Sequence, residues 1–318
     1  MKIKKILGMA LTLAITTTMV ACSTKDEVSQ NQETELQKVR FGVMGSIDSV
    51  PLVIAKEKGY FKELGVDLDL QIFKAAKDRD AALQAGELDG VLADEVAISI
   101  YQNSGIDMKV TGTTNGWFTL VSGKDSGVNS VKDLKGKKIG ISERTMMDYL
   151  ADHIANENNI DKKDIEKVGI PAMPARLEAL GNNQIDAAIL PAPFNDTAIA
   201  DGGKEIVKLY NKDIMISTTG FLQSFIDKNG DAIKNFYKAY NKAIEDLNTN
   251  DISDYEDIII STVGYPEEMR GKIELPEFKK NYLPDVEKVQ QVFNWSKENG
   301  IIDINLNAKD IMNNIGVE

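Results

Sequence analysis

Asp94 and Glu95 stand side by side, and paired carboxylates are raw material for general acid–base work. Little else in the 318 residues supports bond-making. His153 is the one histidine and Cys22 the one cysteine, so neither a four-cysteine nor a three-histidine zinc set exists, any Ser–His–acid triad would have to use His153, and no intrachain disulfide forms. Among 49 acidic side chains, adjacent acids also arise by chance. No metal-ligand loop spacing is visible, and nothing implies a cofactor. Non-covalent capture is the better expectation. The residues suited to it are Ser46, Asp48 and Ser49; Asp94 and Glu95; Asn115 and Trp117; Arg144, Thr145 and Met146; Pro193, Phe194 and Asn195; and Thr218. Hydroxyls and carboxylates orient a guest by hydrogen bonds, and aromatic rings stack on it.

The balance of 37 basic against 49 acidic side chains gives a net charge of −12. A body this acidic repels phosphate backbones, which argues against nucleic-acid partners. Apolar residues at 42% support a packed core. The chain begins with three lysines, Lys2, Lys4 and Lys5, followed over 6–20 by an uncharged, mostly apolar run. That run is shorter than the roughly 20 residues a spanning helix needs, and 1–21 reads as an export signal. It ends in Met19-Val20-Ala21-Cys22, which resembles the bacterial lipobox, in which the cysteine is acylated and becomes the mature N-terminus. Residues 22–36 are then a lipidated cysteine and a polar, flexible tether. The expected location is outside the cytoplasm, with lipid chains such as palmitate holding the protein to the membrane.

The loops carrying these residues must be positioned by something, and the chain offers two copies of one unit. Phe41-Gly42-Val43 matches Ile139-Gly140-Ile141 at a shift of 98, and Ala82-Leu83 with Asp89 matches Ala179-Leu180 with Asp186 at 97. In the first copy, 39–43 and 66–72 alternate as strands, Ser49 and Pro51 open a helix toward Gly59, and 77–85 is helical up to Gly86. Another strand follows over 90–92. In the second, 138–141, 165–170 and 186–190 are strands; Thr145 and Asp148 have the spacing of a capping box for a helix to about 158, and 174–180 is helical. Strands are expected at 205–209 and 214–222, then helices over 227–248, 251–263 and 284–299. Alternation of this kind implies parallel sheets covered by helices, hence two α/β lobes. Crossings near 116–122 and 215–223 form the hinge. Lobe one is expected over 37–118 and 221–318, lobe two over 119–220.

Val50-Pro51-Leu52-x-x-Ala55-x-x-x-Gly59-Tyr60-Phe61, with Leu64-Gly65-Val66-Asp67-Leu68, resembles the opening of nitrate/sulfonate/taurine-type substrate-binding proteins of ABC importers, a group that also includes binders of thiamine-pyrimidine precursors. Ala82-Leu83-x-x-Gly86-x-x-Asp89-Gly90, Asp133-Leu134-Lys135-Gly136-Lys137-Lys138-Ile139-Gly140 and Asp186-Ala187-Ala188-Ile189-Leu190-Pro191-x-Pro193 continue the likeness in order. The resemblance covers about 38–225 well. It implies a type II periplasmic-binding-protein-like clamshell with a two-strand hinge, a monomer that captures a small-molecule solute and hands it to permease and ATPase subunits. Fungal pyrimidine-synthesis enzymes of this fold use a histidine and a cysteine-rich motif; here His153 lies mid-helix and no second cysteine exists. A lyase on the same fold, or a sensor feeding a receptor, are the alternatives to transport.

Ligands of open parallel sheets sit beyond the C-terminal strand ends. The residues named above lie there or at the crossings, and each has a plain structural reading too. Asp48, Ser49, Asp94 and Thr145 suit helix caps, Trp117, Met146, Met147 and Phe194 suit packing, and His153 suits a helix surface. Asp48, Asp94, Glu95 and Glu143 are acidic and only Arg144 is basic, which favours a flat aminopyrimidine-like ring over a sulfonate or taurine.

Overall fold

The computed structural model describes residues 36–210 and 217–317. The leader, Cys22, most of the tether and the start of the strand expected over 214–222 lie outside them. In chain order the first lobe holds β1 (Gln37–Met44), α1 (Val50–Glu57), the single turn α2 (Tyr60–Glu63), β2 (Val66–Phe73), α3 (Ala76–Gln84), β3 (Gly90–Ala93), α4 (Glu95–Asn103) and β4 (Met108–Thr113). The second holds β5 (Trp117–Ser122), β6 (Lys138–Ile141), α5 (Met146–Glu157), β7 (Glu166–Gly169), α6 (Met173–Gly181), β8 (Ala187–Pro191), α7 (Phe194–Ala200) and β9 (Lys204–Tyr210). The chain returns through β10 (Thr218–Leu222) and ends in α8 (Gln223–Thr249), the short α9 (Glu256–Ile258), α10 (Val286–Glu298) and α11 (Ala308–Ile311).

The two sheets have one topology. Their orders, β2-β1-β3-β10-β4 and β7-β6-β8-β5-β9, match strand for strand. In each, three parallel strands are followed by a strand that has crossed from the other lobe and runs antiparallel to both neighbours. The crossings fall a little ahead of the boundaries read from sequence. Trp117 and Phe118 already pair with β9, and Thr218 to Gly220 already pair with β3, because each strand begins bonding as soon as it reaches its sheet.

The repeat extends to side chains. Asp89 accepts the Arg40 amide at 2.9 Å and donates its own to Arg40 O at 2.8 Å; Asp186 treats Lys138 the same way at 2.8 and 2.9 Å. Such bonds lock the strand pair at its start, where an aspartate can reach the neighbouring strand's free amide.

Local chemistry sets the helix ends, with some differences from expectation. Ser49 does not cap α1: its hydroxyl donates to Ser46 O at 2.7 Å, and α1 begins with Pro51 in its first turn. Thr145 caps α5 by accepting from Met147 N at 3.2 Å, but Asp148 bonds the Arg144 amide and so does not complete a capping box. The helix expected over 251–263 is broken into short 3-10, α and π turns, because the run Ile258-Ile259-Ile260-Ser261-Thr262-Val263 is rich in β-branched residues that crowd a helix. α4, α7 and β4 have no counterpart among the elements read from sequence.

α8 covers one face of the first sheet, where Phe236 meets Phe41 at 4.9 Å between ring centres and Phe61 and Phe221 at 5.2 Å. α10 covers the other, with Val289 and Phe293 among Ile98, Tyr101 and Val110. Close packing of sheet on helix leaves no room at two equivalent glycines. A Cβ on Gly42 would lie 2.7 Å from Leu88 and 3.2 Å from Arg79, and one on Gly140 would lie 2.4 Å from Ile185 and 3.1 Å from Arg176. Gly42→Ala and Gly140→Ala are each expected to lower unfolding free energy by about 1–3 kcal/mol in urea titrations, the usual cost of overpacking.

Candidate functional site

Both sheets aim the C-terminal ends of their parallel strands at one another, so the loops after β1 and β3 face those after β6, β7 and β8. Between them is a cavity of about 60 Å³. Lobe one lines it with Met44, Ser46, Ala76, Arg79 and Asp94; lobe two contributes Phe118, Ser142, Thr145, Met147, Pro171, Met173, Arg176 and Pro191. It shares Met44 and Met173 with an adjoining groove of about 310 Å³, walled by Ile72, Phe73, Pro174, Phe194 and Val263 with Lys74.

Two buried arginines dominate the electrostatics, and they are partners in the repeat. Arg79 on α3 and Arg176 on α6 are 97 residues apart, the spacing of the Ala-Leu and Asp anchors. Each reaches from its helix to the carbonyl 13 residues onward within a central strand: Arg79 Nη1 to Leu92 O at 2.8 Å, Arg176 Nη1 to Ile189 O at 3.0 Å. Their charges are handled differently. Arg79 pairs with Asp80 at 2.8 Å; burial works against its charge, but Tyr101, Asp80 and Asp94 together hold its pKa above the ordinary value. Arg176 is fully buried and has no carboxylate partner among the described residues. Carbonyls serve it instead, with Nε and Nη2 donating to Ile170 O at 3.0 and 2.7 Å, while Nη1 touches Met147 Sδ at 2.8 Å. Burial alone pulls its pKa down to about 10, so it stays a cation.

Asp94 is the acid at this cavity. It caps α4, accepting from Ala97 N at 2.9 Å, and it also meets the Met146 amide at the start of α5 in the opposite lobe. Burial raises its pKa, against the pull of those amides and of Arg79. The lobes touch at several further points. Ile47 N donates to Ala192 O at 3.3 Å, Arg144 Nη2 to Ile301 O at 2.9 Å, and Trp295 Nε1 to Asp152 Oδ2 at 3.1 Å.

Of the residues singled out from sequence, the structure gathers Ser46, Asp94 and Thr145 around the cavity and Phe194 along the groove. The others lie elsewhere. Asp48 is held by Ser46 and Ser217, and its carbonyl takes the Thr114 hydroxyl at 2.9 Å. Ser49 is buried beneath it. Asn115 accepts the Lys279 amide at 2.9 Å, and Thr218 donates to Gly112 O at 2.9 Å. Trp117 belongs to the core of lobe one, with Lys208 3.9 Å above its ring. Met146 packs in the core of lobe two, Glu95 is buried, and Arg144 reaches the C-terminal segment. Pro193 and Asn195 start α7, where Asn195 donates to Asp196 at 2.8 Å. Sequence reasoning missed both arginines, although the 97-residue offset pointed to them. Phe118, Pro171 and Pro191 left no such signal.

Two equal lobes facing one another across a cavity at their strand ends define a two-lobed α/β fold of the periplasmic-binding-protein type. The chain belongs to the NMT1/THI5 like family, whose model matches residues 46–252. A Bacillus subtilis protein named for binding aliphatic sulfonates is 23% identical over 96% of this chain and 94% of its own length. In fold, the periplasmic aliphatic sulphonate binding protein SsuA of Escherichia coli superposes with a TM-score of 0.74 at 17% identity, covering 86% of this chain and 97% of that one. The periplasmic nitrate-binding protein NrtA of Synechocystis does so with 0.70 at 16%, covering 87% and 85%. These relatives are named as binding proteins, not enzymes.

Asp94→Ala removes the α4 cap and is expected to lower stability by about 1 kcal/mol, whereas Asp94→Asn, a competent cap without charge, stays close to the parent in thermal melts.

Proposed function

We propose that the chain is the solute-binding component of an ABC importer, held outside the cytoplasm by lipid on Cys22, and that its solute is a small organic anion, with sulfonates the first candidates. The observation that carries the ligand class is Arg176, a buried cation at the cavity without a carboxylate partner among the described residues. A lone buried charge is costly, and an anionic guest offsets that cost. The acids that argued against an anion from sequence bear on the cavity less than their spacing suggested. Glu143 is exposed, Asp48 is hydrogen-bonded by two serines, and Asp94 is drawn toward its neutral form. The adjoining apolar groove suits an organic substituent on such an anion. The names of the relatives, sulfonate and nitrate binders, agree in charge. Because both lobes line the cavity, a guest stabilises the closed arrangement over the open one, the form an importer would recognise.

Asp94 supports a second reading, the aminopyrimidine, whose N–H groups a carboxylate accepts, with Phe118 rather than Trp117 as the ring's platform. A thermal-shift panel separates the two. Ethanesulfonate or taurine at 100 times its Kd should add about 2.7 kcal/mol of stability, and Arg176→Met should abolish that gain; stabilisation by aminopyrimidines alone would reject the anion. For the anchor, Cys22→Ala should release the protein from membranes and prevent its labelling by fatty acid.

A further inference from the structure

Glu95, the first residue of α4, is fully buried, and neither of its carboxyl oxygens has a hydrogen-bond partner among the described residues. It does not line the cavity. α4 packs against α10 and β4 and, in the opposite lobe, against α5, where Val96 sits with Met146 and Leu150 and Tyr149 feels the Glu95 charge. Among the described residues no cation offsets that charge. Asp94 precedes it on α4, and on α5 His153 stacks with Tyr149 while Asp148 and Asp152 both pair with Lys167 at 2.6 Å. β4 bears Lys109, paired with Asp107 at 2.9 Å, and α10 turns Val289, Val292, Phe293 and Ser296 inward, with Lys288 and Lys297 among its charged residues. A carboxyl in such a place keeps its proton, and burial, opposed by its own backbone amide and reinforced by Asp94, pushes its pKa up to about 8 from an ordinary 4.5.

We propose that Glu95 couples closure of the lobes to uptake of a proton, so that the closed form gains ground as the medium acidifies and yields its solute as the medium turns alkaline. The inference rests on the two-lobed capture described above. Parting the lobes removes α5 and returns Glu95 to water, so its acidity is ordinary when open and suppressed when closed. A group whose pKa is raised in the closed form favours closure fully below its open-state value, and that contribution fades as pH climbs toward the closed-state value. Between the two, closure weakens by about tenfold per pH unit.

The test compares wild type with Glu95→Gln and, should the amide misfold by circular dichroism, Glu95→Met. Affinity for ethanesulfonate should fall about tenfold per unit from pH 6 to pH 8 in the wild type and by less than about threefold in the variant, whose remaining slope reports Asp94. Equal slopes overturn the proposal. If ethanesulfonate fails to bind at any pH, the sulfonate reading fails, and small-angle scattering of the protein alone decides the proton linkage. A radius of gyration that grows with pH in the wild type only supports it; parallel or flat curves overturn it.

Discussion

Everything in this molecule depends on the exchange of two strands. β5 leaves the first lobe to lie between β8 and β9, and β10 leaves the second to lie between β3 and β4. Each inserted strand is bonded along both edges, so neither lobe completes its sheet without a strand delivered from the other side. A double connection of this kind leaves few ways for the lobes to move except toward and away from one another. It also fixes which strand ends meet. Because β5 and β10 run antiparallel to the strands beside them, the loops that end the parallel strands come face to face, and helix starts gather there.

The buried arginines show one repeated device in two different electrostatic settings. In both lobes an arginine ties a helix to the carbonyl of a central strand, beneath a glycine that leaves it room. In lobe one the neighbouring Asp80 completes an ion pair. The equivalent position in lobe two is Leu177, so Arg176 has carbonyls but no counter-charge among the described residues. The tie is structural on both sides, while the asymmetry of charge belongs to the cavity. On the reading proposed above, Arg176 holds the fold and also faces the guest, so altering it would disturb lobe two together with binding.

The opposing surfaces are also unequal in chemistry. Lobe one presents Asp94 to the start of α5, where amides are unsatisfied and a carboxylate is welcome. Glu95, one residue on, receives no such reception and is buried near α5 with only its own backbone amide acting on its carboxyl. Two adjacent acids therefore differ because one meets a helix terminus and the other meets side chains.

Much of the fold was legible before any coordinates. The alternation of residues 39–43 and 138–141, Pro51 at a helix start, Gly59 and Gly86 at helix ends, and anchors recurring 97 or 98 residues apart all act through nearest neighbours along the chain, and such effects are written in order and spacing. The expected leader and Cys22 lie outside the described residues. Which loop residues meet was decided by tertiary structure alone. Trp117 looked like a platform, yet it turns into the core of lobe one while its neighbour Phe118 takes the cavity, because strand residues alternate sides and the sheet's register chose between them. Arg176 reads as an ordinary helix-surface residue in sequence; its burial and its missing partner exist only once β7, β8 and α5 enclose it, for a charge has no environment until distant segments supply one.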